Sequence, residues 1–142
     1  MFKTEVSYEN FDGKKVVEAL RFNLSEIEML DLTKADPTFT QENLERIIKE
    51  EDAREMFDVI RKLIAVSYGV MSQDGRSFRK KEDDVYDFLC SGAYDALIDK
   101  IFTEGNDTFM TEFIIGVFPA KFADSIREGI EKQKKTNSLS VV

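Results

Sequence analysis

Residues 52–68, DAREMFDVIRKLIAVSY, leave little freedom to whatever surrounds them. Met56, Phe57, Ile60, Leu63 and Ile64 recur at the i, i+3, i+4, i+7, i+8 spacing that places apolar side chains on one helix face. Val59 and Val66 widen the stripe, so this helix needs cover from more than one side. Asp52 stands at the N-cap position, with Glu55 three residues on to complete a capping box. Gly69 stands where a left-handed residue would close the helix. Beyond it, the stretch to Lys80 reads as a sharp exit, a turn at Asp74-Gly75 and a short extended return. The other apolar segments have to find their places against this helix.

Those segments alternate between two periodicities. Phe2, Thr4, Val6 and Tyr8 alternate with polar residues, Asn10-Phe11-Asp12-Gly13 supplies turn chemistry, and Val16, Leu20, Phe22 and Leu24 share a face on the return. This predicts a β-hairpin over residues 2–24. A lone two-stranded hairpin is marginal in water. It must pack on helices or accept a third strand, which an open edge would also take from another subunit. From Ser25 the period becomes helical. Ser25-Glu26-Ile27-Glu28 is a capping box for a helix to about Leu32. Asp36-Pro37 breaks the chain, and Thr40 caps a second helix with Leu44, Ile47 and Ile48 inward. After the Asp74-Gly75 turn, the charge run from Lys80 to Asp84 opens a helix that carries Val85, Phe88 and Leu89 to Ser91-Gly92. Another begins near Ala93 and ends at Gly105-Asn106. The next, from Asp107 or Thr108, is apolar on nearly all sides through Phe118, as expected of a central helix or of one that also meets a partner. Pro119 interrupts, and Ala120 to Lys135 forms a further helix with Phe122, Ile126 and Ile130 as a weak stripe. Residues 137–142 are expected to be disordered.

The fold class predicted is mostly α, an α+β arrangement with the N-terminal hairpin packed on a bundle of about six helices. Residues 1–119 are expected to form one globular domain, followed over residues 120–142 by a C-terminal helix and flexible tail. A chain of 142 residues suffices for one core, and its 12 Phe bring buried area with no polar atom to satisfy.

Charge and composition exclude several functions. The net charge of −8 disfavours nucleic-acid binding, which needs a basic footprint. Residues 120–142 hold five basic and three acidic residues, a net of +2, which leaves −10 for the rest. No apolar run approaches the ~18 residues of a membrane span. The N-terminus lacks the apolar core of a signal peptide. A single cysteine, Cys90, fits a reducing compartment. The expectation is a soluble intracellular protein. With no histidine, the commonest general base and metal ligand is missing. Cys90 has no imidazole to activate it and is expected to be a small buried hydrophobe. Neither a dinucleotide fingerprint nor a P-loop occurs. Glu50-Glu51 and Asp83-Asp84 fall at helix ends, where capping explains them. The reading is therefore non-enzymatic, with no cofactor and no metal.

Ser67-Tyr68-Gly69 is followed by Ser72, Asp74-Gly75, Phe78 and Lys80. An Ala93-Tyr94 pair opens a later helix, and Phe113-Ile114-Ile115-Gly116-Val117-Phe118-Pro119 closes the domain. Together with the hairpin, this pattern over residues 2–119 resembles the tail assembly chaperones of long-tailed bacteriophages. The Ser-Tyr-Gly…Ser-x-Asp-Gly-x-x-Phe stretch is its most specific part. The resemblance implies a holdase-like protein that coats the tape measure protein, keeps it soluble and helps recruit major tail protein. It also implies work in the host cytoplasm, absence from the finished virion and, often, a longer form made by ribosomal frameshifting, for which Lys134-Lys135 is a plausible codon context. Many relatives of this pattern stop soon after the closing proline, whereas this chain continues from Ala120 to Val142. A homo-oligomer built through the hairpin edge is also expected. The partner-binding candidates are Phe109, Met110, Phe113 and Phe118, with Phe122 and Ile126 beyond the proline. A rival reading is a tail-completion or neck protein retained in the virion. A carboxylate enzyme is disfavoured by the missing histidine.

Overall fold

Strands Phe2–Glu9 (β1) and Lys15–Phe22 (β2) form the expected antiparallel hairpin, with Phe2 opposite Phe22 and Glu9 opposite Lys15. The alternation decides its faces: Val6, Leu20 and Phe22 are buried, while Lys3, Glu5 and Ser7 face solvent. The computed structural model describes residues 1–103 and 107–140, without the side chains of Asp107 and residues 133–140. Seven α-helices follow among the described residues: α1 (Glu26–Ala35), α2 (Gln41–Glu50), α3 (Ala53–Ser67), α4 (Glu82–Leu89), α5 (Gly92–Phe102), α6 (Asp107–Val117) and α7 (Ala120–Ser140). A 3₁₀ turn, Pro37–Phe39, joins α1 to α2, and a short ribbon, β3 (Val70–Met71) with β4 (Phe78–Arg79), follows α3. The chain is mostly α, in the α+β arrangement read from its periodicities. The helix stop placed at Gly105-Asn106 lies outside the described residues. α7 continues to Ser140, beyond Lys135, so residues 137–140, expected to be disordered, belong to this helix, and residues 141–142 of that expectation lie outside the described residues.

The hairpin is stabilised by helices. β1 lies on α5 and α6, and Lys100 of α5 donates to Thr4 Oγ1 at 2.8 Å and to the Glu5 carbonyl at 3.1 Å. At the exit of β2, Phe22 bridges Tyr68 and the Asn23 amide donates to the Ser67 carbonyl at 2.9 Å. The hairpin is thereby joined to the C-terminal end of α3. Phe22 has no exposed surface, and its ring meets Tyr68, Phe88 and Phe113 at centroid separations of 5.8, 6.1 and 5.4 Å.

α3 is capped by Asp52, whose carboxylate accepts from the Arg54 and Glu55 amides. Glu55 does not close a capping box; it pairs with Arg46 of α2 at 2.9 Å. The buried stripe runs through Val59, Ile60, Leu63, Ile64 and Ser67. Phe57, expected on that face, is 39% exposed. It lies at the stripe's edge, against the Phe102 ring at 5.6 Å and under the Arg61 guanidinium. Cys90, expected to be buried, is exposed. It follows buried Phe88 by two residues, roughly 200° around a helix, and so faces away.

Gly69 does not take the left-handed conformation; Tyr68 ends the helix in extended geometry. Glycine is needed there for space. A Cβ would stand 2.6 Å from the Phe78 ring and 2.9 Å from the Arg79 carbonyl. Gly75 has the positive φ, 75°, with open space around it. Glu51 also has a left-handed φ, 52°, as the cap between α2 and α3. An L residue with a β-carbon pays about 1 kcal/mol there that glycine does not.

Three outcomes follow for thermal unfolding. Gly69→Ala should destabilise by about 1–3 kcal/mol through overpacking, whereas Gly75→Asn should cost no more than about 1 kcal/mol, since Asn tolerates the left-handed region better than other residues with a β-carbon and nothing crowds it there. Glu51→Gly should raise stability by about 0.5–1 kcal/mol; a lowered midpoint would contradict the strain assigned to that joint.

Candidate partner-binding groove

Two helices leave the core from one tied point. The Leu24 amide, just past β2, donates to the Val117 carbonyl at the end of α6, 3.0 Å away. From the first strand of this tie the chain enters α1 through Ser25, whose hydroxyl accepts from the Glu28 amide while Glu28 accepts from the Ser25 amide. From the second it enters α7 through Phe118 and Pro119, and the Ala123 amide donates to the Pro119 carbonyl at 2.9 Å. A groove of about 510 Å³ separates the two helices. One wall is the α1 stripe Glu26, Met29, Leu30, Thr33 and Lys34; the other is Pro119, Lys121, Phe122 and Ser125. Met29 is buried beneath it, whereas Leu30 is 64% exposed and neighbouring Ile27 is 73% exposed.

Both walls are held from behind. The Phe118 ring packs edge-on to Phe122 at 5.0 Å, and Gln41 of α2 donates to the Ser125 carbonyl at 3.4 Å. α1 is fastened by Lys80, after β4, whose ammonium meets the Glu28 carboxylate at 2.6 Å. Burial would raise the Glu28 carboxyl, but hydrogen bonds from Lys80 and from the Ser25 amide outweigh it. The result lies below the ordinary value for glutamate.

The sequence-derived candidates divide. Phe113, Phe118 and Ile126 are buried in the core. α6 is apolar on nearly every side because the hairpin, α3, α5 and α7 all contact it. Phe109 and Met110 are half-buried; the Phe109 ring meets Phe2 at 5.6 Å and the Lys100 ammonium at 4.8 Å. Phe122 alone of the six lines the groove. Sequence reasoning did not select Ile27 and Leu30. The available signal was that apolar residues go right round α1, yet one face of so short a helix is all a core can cover.

Other concavities have different character. A cleft of about 400 Å³ between α2 and α3 is lined by Asn43, Arg46, Glu55 and Lys62. Three of its charges are engaged, with Arg46 bridging Glu50 at 2.8 Å and Glu55 at 2.9 Å, and Lys62 meeting Asp36 at 3.2 Å. A second apolar hollow, about 510 Å³, lies over Phe57, Ile98 and Phe102. Among the described residues no cluster of three metal-ligating side chains occurs, and no helix is long and apolar enough to cross a membrane.

A family whose members are described as phage tail assembly chaperones matches this chain over residues 1–140. The chain belongs to that family. Comparison with curated proteins and with solved structures returns no match. The family match runs past Pro119 through α7, so the C-terminal helix of this chaperone lies within the matched region. Membership points to a non-catalytic role, in keeping with a groove that offers the chaperone apolar surface and few reactive groups.

The Glu28–Lys80 tie gives a pH signature. A carboxyl whose folded pKa is depressed stabilises the fold above its unfolded pKa, and that contribution vanishes as pH falls through the folded value. Glu28→Gln keeps a capping-box acceptor but loses the charge. It should lower stability at neutral pH by about 1 kcal/mol or less, since solvent screens the pair. The difference from wild type should disappear in acid. Denaturant unfolding across pH measures it, and a pH-independent difference would show that the charge pair contributes nothing.

Proposed function

We propose that this chaperone binds the tape measure protein, keeps it soluble before the tail tube encloses it, and promotes tube assembly by bringing in major tail protein. The observation that carries the reading is the family match over residues 1–140. The apolar groove between α1 and α7 supports it. A long helical client outside its tube exposes apolar surface that would otherwise aggregate, and a groove bearing Leu30 and Phe122 covers such surface. Phe118 and Ile126 contribute from beneath by holding α7 in place; Phe109 and Met110 offer a second, smaller contact.

On this reading the protein works in the host cytoplasm, leaves before the virion is complete, and acts in several copies along one client. The solvent edge of the hairpin is the candidate contact between copies. The chain's net charge of −8 limits uncontrolled association of identical chains.

Co-expression tests the proposal. The tape measure protein from the same phage should move from the insoluble to the soluble fraction when this chain is present, and the two should co-purify. Mass spectrometry of purified virions should find the chain absent or far below stoichiometric amounts. A client equally insoluble with and without the chain defeats the proposal, and stoichiometric presence in the particle favours a retained tail-completion or neck protein.

A further inference from the structure

The walls of the α1–α7 groove restrict what can occupy it. Its α1 wall, Glu26, Met29, Leu30, Thr33 and Lys34, follows i, i+3, i+4, i+7, i+8, a single face about 12 Å long. Both walls are helical, and beyond the first turn of α7 their backbone bonds run along their own axes. Pro119 has no amide, and its carbonyl is taken by Ala123. An extended strand lying here would leave its amides, and all but one or two of its carbonyls, without partners. A guest that carries its backbone bonds within itself, a helix, avoids that cost.

Charge narrows the guest further. Three charged residues line the groove, and two of them, Lys34 and Lys121, are basic, on a chain whose net charge is −8. The Lys-rich α7 segment of a second copy, with Lys132, Lys134 and Lys135, is a poor occupant, since it would bring like charge to Lys34 and Lys121. We infer that the groove docks an amphipathic helix of another protein whose apolar stripe is bordered by acidic residues. This inference rests on the client-binding reading above, and it names the chemistry of the segment bound. Two turns of guest helix place apolar side chains at i, i+3 or i+4, and i+7 on Leu30 and Phe122, while the bordering carboxylates reach Lys34 and Lys121. The basic rim provides selectivity more than affinity.

The probes are two fluorescein-labelled, side-chain-stapled helical peptides with identical leucine stripes, one bordered by glutamate and one by lysine. Anisotropy titrations with the full-length chain should show the glutamate peptide binding about tenfold tighter at low salt, with the preference shrinking at high salt. The double variant Lys34→Glu/Lys121→Glu, altering two exposed residues, should reverse the preference, and Leu30→Asp should abolish binding of both. Equal or tighter binding of the lysine peptide, or unchanged binding to Leu30→Asp, would overturn the inference. The same variants in the co-expression assay separate the two readings. If wild type and Lys34→Glu/Lys121→Glu solubilise the tape measure protein equally, the groove chemistry is wrong and the client reading stands. If wild type fails to solubilise it, the client reading falls and the peptide titrations decide the groove alone.

Discussion

The structure depends on the burial of Phe22. Its ring has no contact with water and touches Tyr68 at the end of α3, Phe88 of α4 and Phe113 of α6. Its backbone bridges Tyr68. One residue thus joins the hairpin to three helices by side chain and to the α3 exit by main chain. Edge-to-face aromatic pairs add about 0.5–1.5 kcal/mol beyond the area they bury, and Phe2, meeting Phe113 at 5.2 Å, extends the cluster to the other strand. A hairpin that would not persist alone becomes the centre of the core because three helices close over its apolar face.

The position of the groove follows from that centre. Once Phe22 is fixed, Leu24 two residues later is fixed too, and its amide ties the start of α1 to the end of α6. α1 and α7 therefore start from a rigid point, and the space between them is set by the core. Leaving Leu30 in water forgoes about 1.5–3 kcal/mol that full burial would bring. A helix with one buried residue, Met29, has little else to hold it, so the Ser25 capping box and the Glu28–Lys80 bridge supply what burial does not.

Local chemistry made much of this legible. The alternation of Phe2–Tyr8, the Asp12-Gly13 turn, the Ser25 box and the Asp52 cap each act within a few residues, and each appears where the sequence placed it. The role of Phe22 was not legible, because its partners lie dozens of residues away and no spacing rule connects them. Gly69 showed a different gap: sequence marks a glycine as special but does not tell whether conformation or space requires it. The site divided in the same way. The sequence puts Phe122 together with Phe113, Phe118 and Ile126, and nothing local separates it from those three, which are core. Only tertiary packing tells these apart. Leu30 was missed because α1 is apolar on several sides, and the side left uncovered depends on where α7 passes.

The groove's dimensions bear on how the proposed activity would operate. A face about two helical turns long covers far less than the ~800 Å² per partner of a standard stable interface. One chaperone on one segment would therefore bind weakly. On a long helical client with amphipathic segments repeated along its length, copies of the chain that touched through the hairpin edge would raise one another's effective concentration at neighbouring segments. Weak single contacts have a further consequence for assembly. A coat held by many small grooves can be removed one copy at a time as tube subunits advance, whereas a single extensive interface would have to open all at once. Holding the client tightly in aggregate and releasing it stepwise is the combination that a shallow, basic-rimmed groove on an acidic body can provide.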